Sequence, residues 1–294
     1  MAYTVQESFQ QLKQNLEITD LQRTTVSTRQ TNVREVMEAE LRLLDTFLTG
    51  SYSRSTMIAP LNEADVDIFA VLDVQYFHHY NNGQNGGQAG LLDLVKRVLR
   101  RTYTRTPDIS RNGQAVSIRF EDFIVDVVPG FHRQGGGFLI PNSITQTWIS
   151  TDPKSHVTLF AQENSGHNGN LTPLLKMIKA WNRNIGRQFQ SFHLEVLAYH
   201  ILKGVTISDF PSGMRYFFDK GRELIARENP DPAGYSGNVG YYINTQEKVK
   251  VAVEKFMLAH DRAVKAEDYA RRGGAQTAIE KWIQVFGDYF PAYG

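Results

Sequence analysis

The chain has 294 residues, a formal net charge of +1, 41% hydrophobic and 21% charged residues, and no cysteine. That length holds one large domain or two smaller lobes, and the near-zero charge leaves any phosphate binding to local patches. Disulfides and thiolate metal sites are excluded. The start, MAYTVQESFQQ, lacks a basic segment followed by an apolar one, and no apolar stretch reaches the roughly 18–20 residues that span a bilayer. The expectation is a cytoplasmic protein with no membrane partner.

Val5, Phe9, Leu12 and Leu16 recur at helical spacing and predict a helix over 4–17. A second stripe, Val33, Val36, Met37, Leu41, Leu44 and Phe47, predicts a long helix from Ser27 to Phe47, with Gly50 just past its end. Residues 55–61 and 65–73 read as strands joined by Asn62-Glu63-Ala64. NNGQNGGQAG (81–90) is a loop by composition. Leu91, Leu92, Val95, Val98 and Leu99 then mark a helix whose other face carries Lys96, Arg97, Arg100 and Arg101, either solvated or open to a phosphate backbone. AVSIRF (115–120) alternates, and FIVDVVPGF (123–131) is so apolar that it reads as a central strand covered on both faces.

RQGGGFLIP (133–141) is a glycine-broken hairpin or loop without the helix and Lys-Ser/Thr of a P-loop. The polar stretch 141–156 has Trp148 as a packing anchor, and Asp152-Pro153 enters a short helix over 155–164. Leu171, Leu174, Leu175, Ile178, Trp181 and Ile185 form the next helical stripe, with Lys176 and Lys179 off it as surface neighbours. SFHLEVLAYHILKG follows, with Ser191 as its N-cap. Met214, Phe217, Phe218 and Leu224 lie on a helix within 213–227, RENPDPAGYSGN (227–238) is a turn-rich loop, and the remainder is helical with a break at Gly273-Gly274. Strands mixed with helices, followed by helices alone, predict two lobes, 1–150 and 151–294.

The chemistry concentrates on three carboxylates. Asp65 and Asp67 are two residues apart at the head of an apolar strand and therefore share a face. Adjacent carboxylates repel unless a cation lies between them, and Mg²⁺ commonly binds one or two carboxylates together with substrate phosphates. Asp126, in the middle of the apolar strand, needs compensation. It either pairs with Arg119 or joins the other two as a third metal carboxylate from a neighbouring strand. The Gly50-Ser51 turn can offer N–H groups and a hydroxyl to a phosphate, and Ser191 opens a helix whose start favours anions. Asn164, Asn168 and Asn170 are either loop polarity or amides that read a base edge.

Gly50-Ser51, then Asp65-Val66-Asp67, then Asp126 on a later strand resembles the nucleotidyltransferase superfamily of DNA polymerase β. LLKMIKAWN (174–182) followed by SFHLEVLAY (191–199) resembles the cyclic-GMP-AMP-synthase-like and oligoadenylate-synthase-like enzymes. GSYSRST, DVDIF, VDVVPGF, the IPNS…W…DP segment and FHLE are similar to the bacterial CD-NTases (cGAS/DncV-like), which make cyclic dinucleotide or trinucleotide signals in anti-phage defence (CBASS). The resemblance spans roughly residues 27–290.

It implies an α+β, bilobal polymerase-β-like fold: a mixed-sheet N-terminal catalytic lobe with a long N-terminal helix, and a helical C-terminal lobe. It further implies that Asp65, Asp67 and Asp126 hold two Mg²⁺ ions, with Mn²⁺ able to substitute, and that Gly50 and Ser51 hold a donor triphosphate. Lys176, Lys179 of the K-x-W motif, and Ser191 would contact the nucleotide from the helical lobe. Phe192 stands where the family often has a base-stacking aromatic, commonly Tyr, so stacking carries over but a hydroxyl contact does not.

The implied reaction is attack of a ribose hydroxyl on the α-phosphorus of an NTP, with release of pyrophosphate. The implied partners are NTPs with ATP among them and a cyclic-nucleotide-sensing effector downstream; the C-terminal tail FPAYG is either an ordinary frayed end or a handle for a regulator. Without cysteine there is no zinc ribbon like that of the animal DNA sensor, so double-stranded DNA activation is not expected. Two other functions compete. One is a linear oligoadenylate-type or RNA-tailing nucleotidyltransferase, which the missing basic track argues against. The other is a catalytically dead nucleotide-binding or toxin–antitoxin module, which the intact triad argues against.

Overall fold

The computed structural model describes residues 4–106 and 108–294. In chain order the elements are helices α1 (Val5–Asn15) and α2 (Asp20–Glu40), strand β1 (Leu43–Thr49), the one-turn α3 (Gly50–Ser53), β2 (Asp65–Leu72), α4 (Val74–Tyr80) and α5 (Gly87–Thr102). Strands β3 (Asp108–Asn112), β4 (Ala115–Arg119), β5 (Ile124–His132), β6 (Phe138–Asn142) and β7 (Thr147–Thr151) follow. The rest is α6 (Pro153–Gly166), α7 (Leu171–Asn184), α8 (Ser191–Leu202), α9 (Phe210–Leu224), α10 (Gln246–Arg271) and α11 (Ala275–Phe286). The chain divides into an α/β unit, Ile18–Thr158, and a helical unit, Met1–Glu17 with Leu159–Gly294. Set beside the expected lobes 1–150 and 151–294, this division groups α1 with the C-terminal helices.

The α/β unit is a mixed sheet in the order β1-β2-β5-β4-β3, extended from β5 through β6 to β7. β2 and β5 run parallel and the other named pairs antiparallel. Val66, Ile68 and Ala70 of β2 and Val125 and Val127 of β5 share a core with Val26, Val33 and Met37 of α2 and with Leu91, Leu92, Val95 and Leu99 of α5. Alternation sends Phe69 and Val71 to the opposite face, where they join Phe138 and Ile140. Trp148 is an anchor, as expected: it packs on Phe77 and Phe131, and its indole N–H donates to Asn81 Oδ1 at 3.1 Å.

Two expected elements differ. The long helix ends at Glu40, and 43–49 is a strand rather than its last turns. Leu41, Leu44 and Phe47 keep a three-residue spacing that helix and strand can both present. Here Leu41 turns extended, and Arg34 of α2 holds β1 by donating from Nε to Thr46 Oγ1 (2.8 Å) and from Nη2 to the Thr46 carbonyl (2.7 Å). The Thr46 hydroxyl in turn donates to Glu38 at 2.8 Å. Residues 55–61 are not a strand. Ser55 is left-handed (φ 59°), and the N–H groups of Thr56 and Met57 both donate back to the Ser51 carbonyl, at 2.9 and 3.1 Å.

In the helical unit, α1 is capped by Thr4 in a capping box with Glu7. Its buried Phe9 meets Trp282, Phe286 and Phe290 edge-on at 4.9, 5.8 and 5.1 Å. A second aromatic cluster centres on Trp181, with Phe218 and Phe256 at 5.0 and 4.9 Å. Gly221 of α9 admits this packing, since a Cβ there would lie 2.2 Å from the Phe256 ring. Among the described residues no helix is long and apolar enough to cross a membrane. Phe9→Ala is expected to cost about 3–5 kcal/mol, read as a lowered denaturation midpoint of the whole protein.

Candidate active site

The register of β2 on β5 builds the site. Asp67 sits opposite Asp126, and Asp65 opposite Ile124, so alternation puts all three carboxylates on one face of two neighbouring strands. An oxygen from each of Asp65, Asp67 and Asp126 lies within 4.8 Å of the other two. Asp65 is exposed, Asp67 half-buried and Asp126 buried. The predicted triad is therefore assembled as expected, by a parallel pair that the sequence does not announce.

Gly50 brings the chain at the end of β1 against Asp67. It follows Thr49, which is paired with Asp67 across β1 and β2, and has φ of 66°. A Cβ on Gly50 would lie 1.7 Å from Asp67 Oδ2, so only glycine lets the backbone come this close to the carboxylate. Ser51 is half-buried at the same turn, its carbonyl engaged by Thr56 and Met57.

Asp126 carries the sharpest electrostatic signature. Burial pushes its carboxyl above the ordinary carboxylate range; Ser117 opposes this with a hydrogen bond, Asp65 adds to it, and the charge of Arg119 pulls the other way. Arg119 itself pairs with Asp108, 3.3 Å away across β3 and β4. Asp126 Oδ1 remains buried with no hydrogen-bond partner. Three convergent carboxylates with one orphaned buried oxygen fit a hard divalent cation, which would satisfy that oxygen and offset the mutual repulsion. Ser117 was not foreseen. It faces Asp126 in the β4–β5 register, and the signal available was a lone hydroxyl in the otherwise apolar alternation AVSIRF.

The remaining predicted residues lie in the helical unit. Lys176 and Lys179 are not surface neighbours: α7 is covered on nearly all sides and both lysines are buried. Lys176 Nζ bonds Glu17 at 2.7 Å, and Lys179 Nζ bonds the buried Glu195 at 2.5 Å. Ser191 is the first residue of α8 rather than its N-cap, which is Gln190, a residue that supplies no side-chain cap. Ser191 is exposed and Phe192 half-buried. Of the three asparagines, Asn164 accepts the Thr172 N–H at 2.9 Å and so serves the start of α7.

A mixed sheet whose central parallel strands carry three carboxylates beside a Gly-Ser turn is the polymerase-β-like fold that the resemblance of the sequence implies. Residues 3–164 match the Second Messenger Oligonucleotide or Dinucleotide Synthetase domain (SMODS), and the chain belongs to this family, the CD-NTase cyclic oligonucleotide synthases. It is 27% identical to a cyclic AMP-AMP-AMP synthase of Acinetobacter sp., over 98% of this chain and 86% of that protein. The fold is similar to E. coli CdnC solved in complex with HORMA-deltaN (TM-score 0.77, 17% identity, 98% of each chain). It is also similar to Bradyrhizobium diazoefficiens CdnG solved with GTP (TM-score 0.74, 14% identity, 96% of this chain and 95% of that one).

Two substitutions test the geometry. Gly50→Ala drives a methyl into Asp67 and is expected to weaken Mn²⁺ binding at least about tenfold with the circular dichroism spectrum unchanged; Ser117→Ala, which frees Asp126 to rotate, should weaken it by about tenfold and Ser117→Thr by less. Isothermal titration calorimetry of the metal alone reads both.

Proposed function

We propose that this chain is a Mg²⁺-dependent synthase, with Mn²⁺ able to substitute, that joins NTPs, ATP among them, into a cyclic dinucleotide or trinucleotide for anti-phage signalling of the CBASS type. The observation that carries this reading is the convergence of Asp65, Asp67 and Asp126 with Asp126 Oδ1 unpartnered. The names of relatives support it, including the cyclic AMP-AMP-AMP synthase and a CBASS oligonucleotide cyclase of E. coli. An E. coli CdnC solved with ATP and the CdnG solved with GTP support nucleoside triphosphates as substrates. The CdnC complex with HORMA-deltaN supports a protein regulator, and a cyclic-nucleotide-sensing effector would lie downstream.

Asp65, Asp67 and Asp126 would hold the metal. Once bound, divalent cations lower the pKa of the attacking ribose hydroxyl and neutralise the leaving pyrophosphate. The chain's own part is positioning. Gly50 and Ser51 present backbone and hydroxyl to the donor triphosphate beside the carboxylates, and fixed alignment of two reactants is a large share of catalysis. Lys176, Lys179 and Ser191 are assigned to the nucleotide's phosphates and Phe192 to stacking on its base.

Incubation with all four NTPs and Mg²⁺ or Mn²⁺, followed by mass spectrometry, is expected to give a cyclic product resistant to exonucleases. A linear product with free ends would favour the oligoadenylate-type alternative. Asp65→Ala with Asp67→Ala should abolish product while leaving the melting profile intact, and product formation by that variant would overturn the metal assignment.

Lys179 calls for a different design. Lys179→Ala would strand the Glu195 charge in the interior, at about 3–5 kcal/mol. The informative comparison is Lys179→Met with Glu195→Gln against Glu195→Gln alone. The first is expected to raise the KM for ATP about tenfold over the second, the effect of losing one charge-assisted phosphate contact, and equal values would confine Lys179 to a packing role.

A further inference from the structure

Among the buried titratable groups outside the carboxylate site, His193 is the one the fold leaves least explained. It lies in the first turn of α8, one residue after Phe192, and is 1% exposed. Its Nδ1 is 2.9 Å from the Tyr242 hydroxyl, while its Nε2 is buried without a hydrogen-bond partner. The ring lies against Gly240, where a Cβ would be 2.9 Å from Cε1 and 3.0 Å from Nε2. A leucine or phenylalanine would fill such a space without an orphaned nitrogen, so this histidine costs stability where it stands.

What the arrangement achieves is visible on Tyr242. Its hydroxyl accepts the backbone N–H of Gln190, the N-cap of α8, at 3.0 Å. Burial keeps both rings neutral near neutral pH, drawing His193 down to about 4 and pushing Tyr242 up to about 12. In the tautomer of His193 protonated on Nε2, the phenolic proton goes to Nδ1 and the oxygen's lone pairs are left for Gln190. The segment bearing Tyr242 is itself fixed. Asn238 Oδ1 accepts the N–H groups of Asn229 and Gly240 at 3.0 and 2.9 Å, and Lys248 Nζ donates to the Tyr242 carbonyl at 3.0 Å. A rigid loop is thereby bonded to the residue just before Ser191 and Phe192, at a helix start with no side-chain cap.

We propose that Tyr242, oriented by His193, is a positioning residue for the nucleotide: its hydroxyl fixes the Gln190 N–H and so sets where Ser191 and Phe192 present themselves. This rests on the reading, given above, that Ser191 and Phe192 contact the nucleotide. Tyr242 and His193 act through α8 and touch no reacting atom. The hydroxyl sets the aim of the turn, whereas the ring supplies its packing.

Tyr242→Phe keeps the ring and removes only the hydroxyl. With ATP as the varied substrate, the KM is expected to rise about fivefold, the worth of one hydrogen bond, with kcat changed less than twofold. Hydrogen exchange at the Gln190 amide should accelerate while exchange in α10 and α11 stays as in the unmodified protein. Gly240→Ala, which pushes a methyl at the His193 ring, should reproduce the KM effect, and it stands in if Tyr242→Phe is poorly folded. Ser191→Ala is measured alongside. A raised KM for Ser191→Ala with an unchanged KM for Tyr242→Phe and Gly240→Ala overturns the positioning role and leaves the nucleotide reading in place. An unchanged KM for Ser191→Ala removes the nucleotide role of this turn and the inference with it. A general loss of melting temperature with kcat falling as much as kcat/KM makes Tyr242 a folding residue only and overturns the inference.

Discussion

The α/β unit holds one electrostatic constraint at its centre: three carboxylates lie within 4.8 Å of one another, one of them with a buried oxygen that no described residue hydrogen-bonds. Left to themselves such groups would move apart or take up a proton. They stay because their strands have nowhere to go. Val66, Ile68 and Ala70 alternate with the acids on β2, Val125 and Val127 flank Asp126 on β5, and all five are buried under α2 and α5. A strand cannot slip by one residue without exposing that whole set. Ser117 restrains one side of Asp126, and Gly50 brings the β1 backbone against Asp67. The apolar core thus supplies the free energy that keeps an unfavourable charge arrangement in place, and a cation is what that arrangement accepts.

The parts legible in the sequence are those whose physics is local. Asp65 and Asp67 share a face because strand alternation requires it, and Asp126 stands out as a charge inside an apolar run. These residues mark the carboxylates locally, whereas the fold class comes from the family resemblance that the motifs carry. The misses come from places where a local pattern is ambiguous or overruled. Leu41, Leu44 and Phe47 continue a helical stripe, yet the Arg34–Thr46–Glu38 hydrogen bonds claim that stretch for β1. The Met57-Ile58 pair looks strand-like, but its segment is folded back onto the Ser51 carbonyl by Thr56 and Met57. Ser117 matters only through its cross-strand partner, which no local spacing reveals. Helix α1 joins the far end of the chain through Phe9, a contact between residues more than 270 positions apart.

The two units compensate buried charge in opposite ways, and the contrast says what each is for. In the helical unit Lys176 and Lys179 look like solvated residues by helical spacing, but α7 is surrounded and each ammonium meets a carboxylate, Glu17 or Glu195. Taking both Lys179 and Glu195 out of water is repaid only by close geometry, and their 2.5 Å separation meets that demand, while Lys176 reaches the half-exposed Glu17 at 2.7 Å. Each ammonium is thus held in place by a carboxylate of the same unit. In the α/β unit Asp126 keeps one buried oxygen without a hydrogen-bond partner, and Arg119, whose charge acts on it, pairs directly with Asp108. A protein that sets two buried lysines of one helix against glutamates, the half-exposed Glu17 and the buried Glu195, is not short of means to neutralise Asp126. Three acids brought together with one buried oxygen unpartnered form an arrangement whose repulsion a divalent cation would offset.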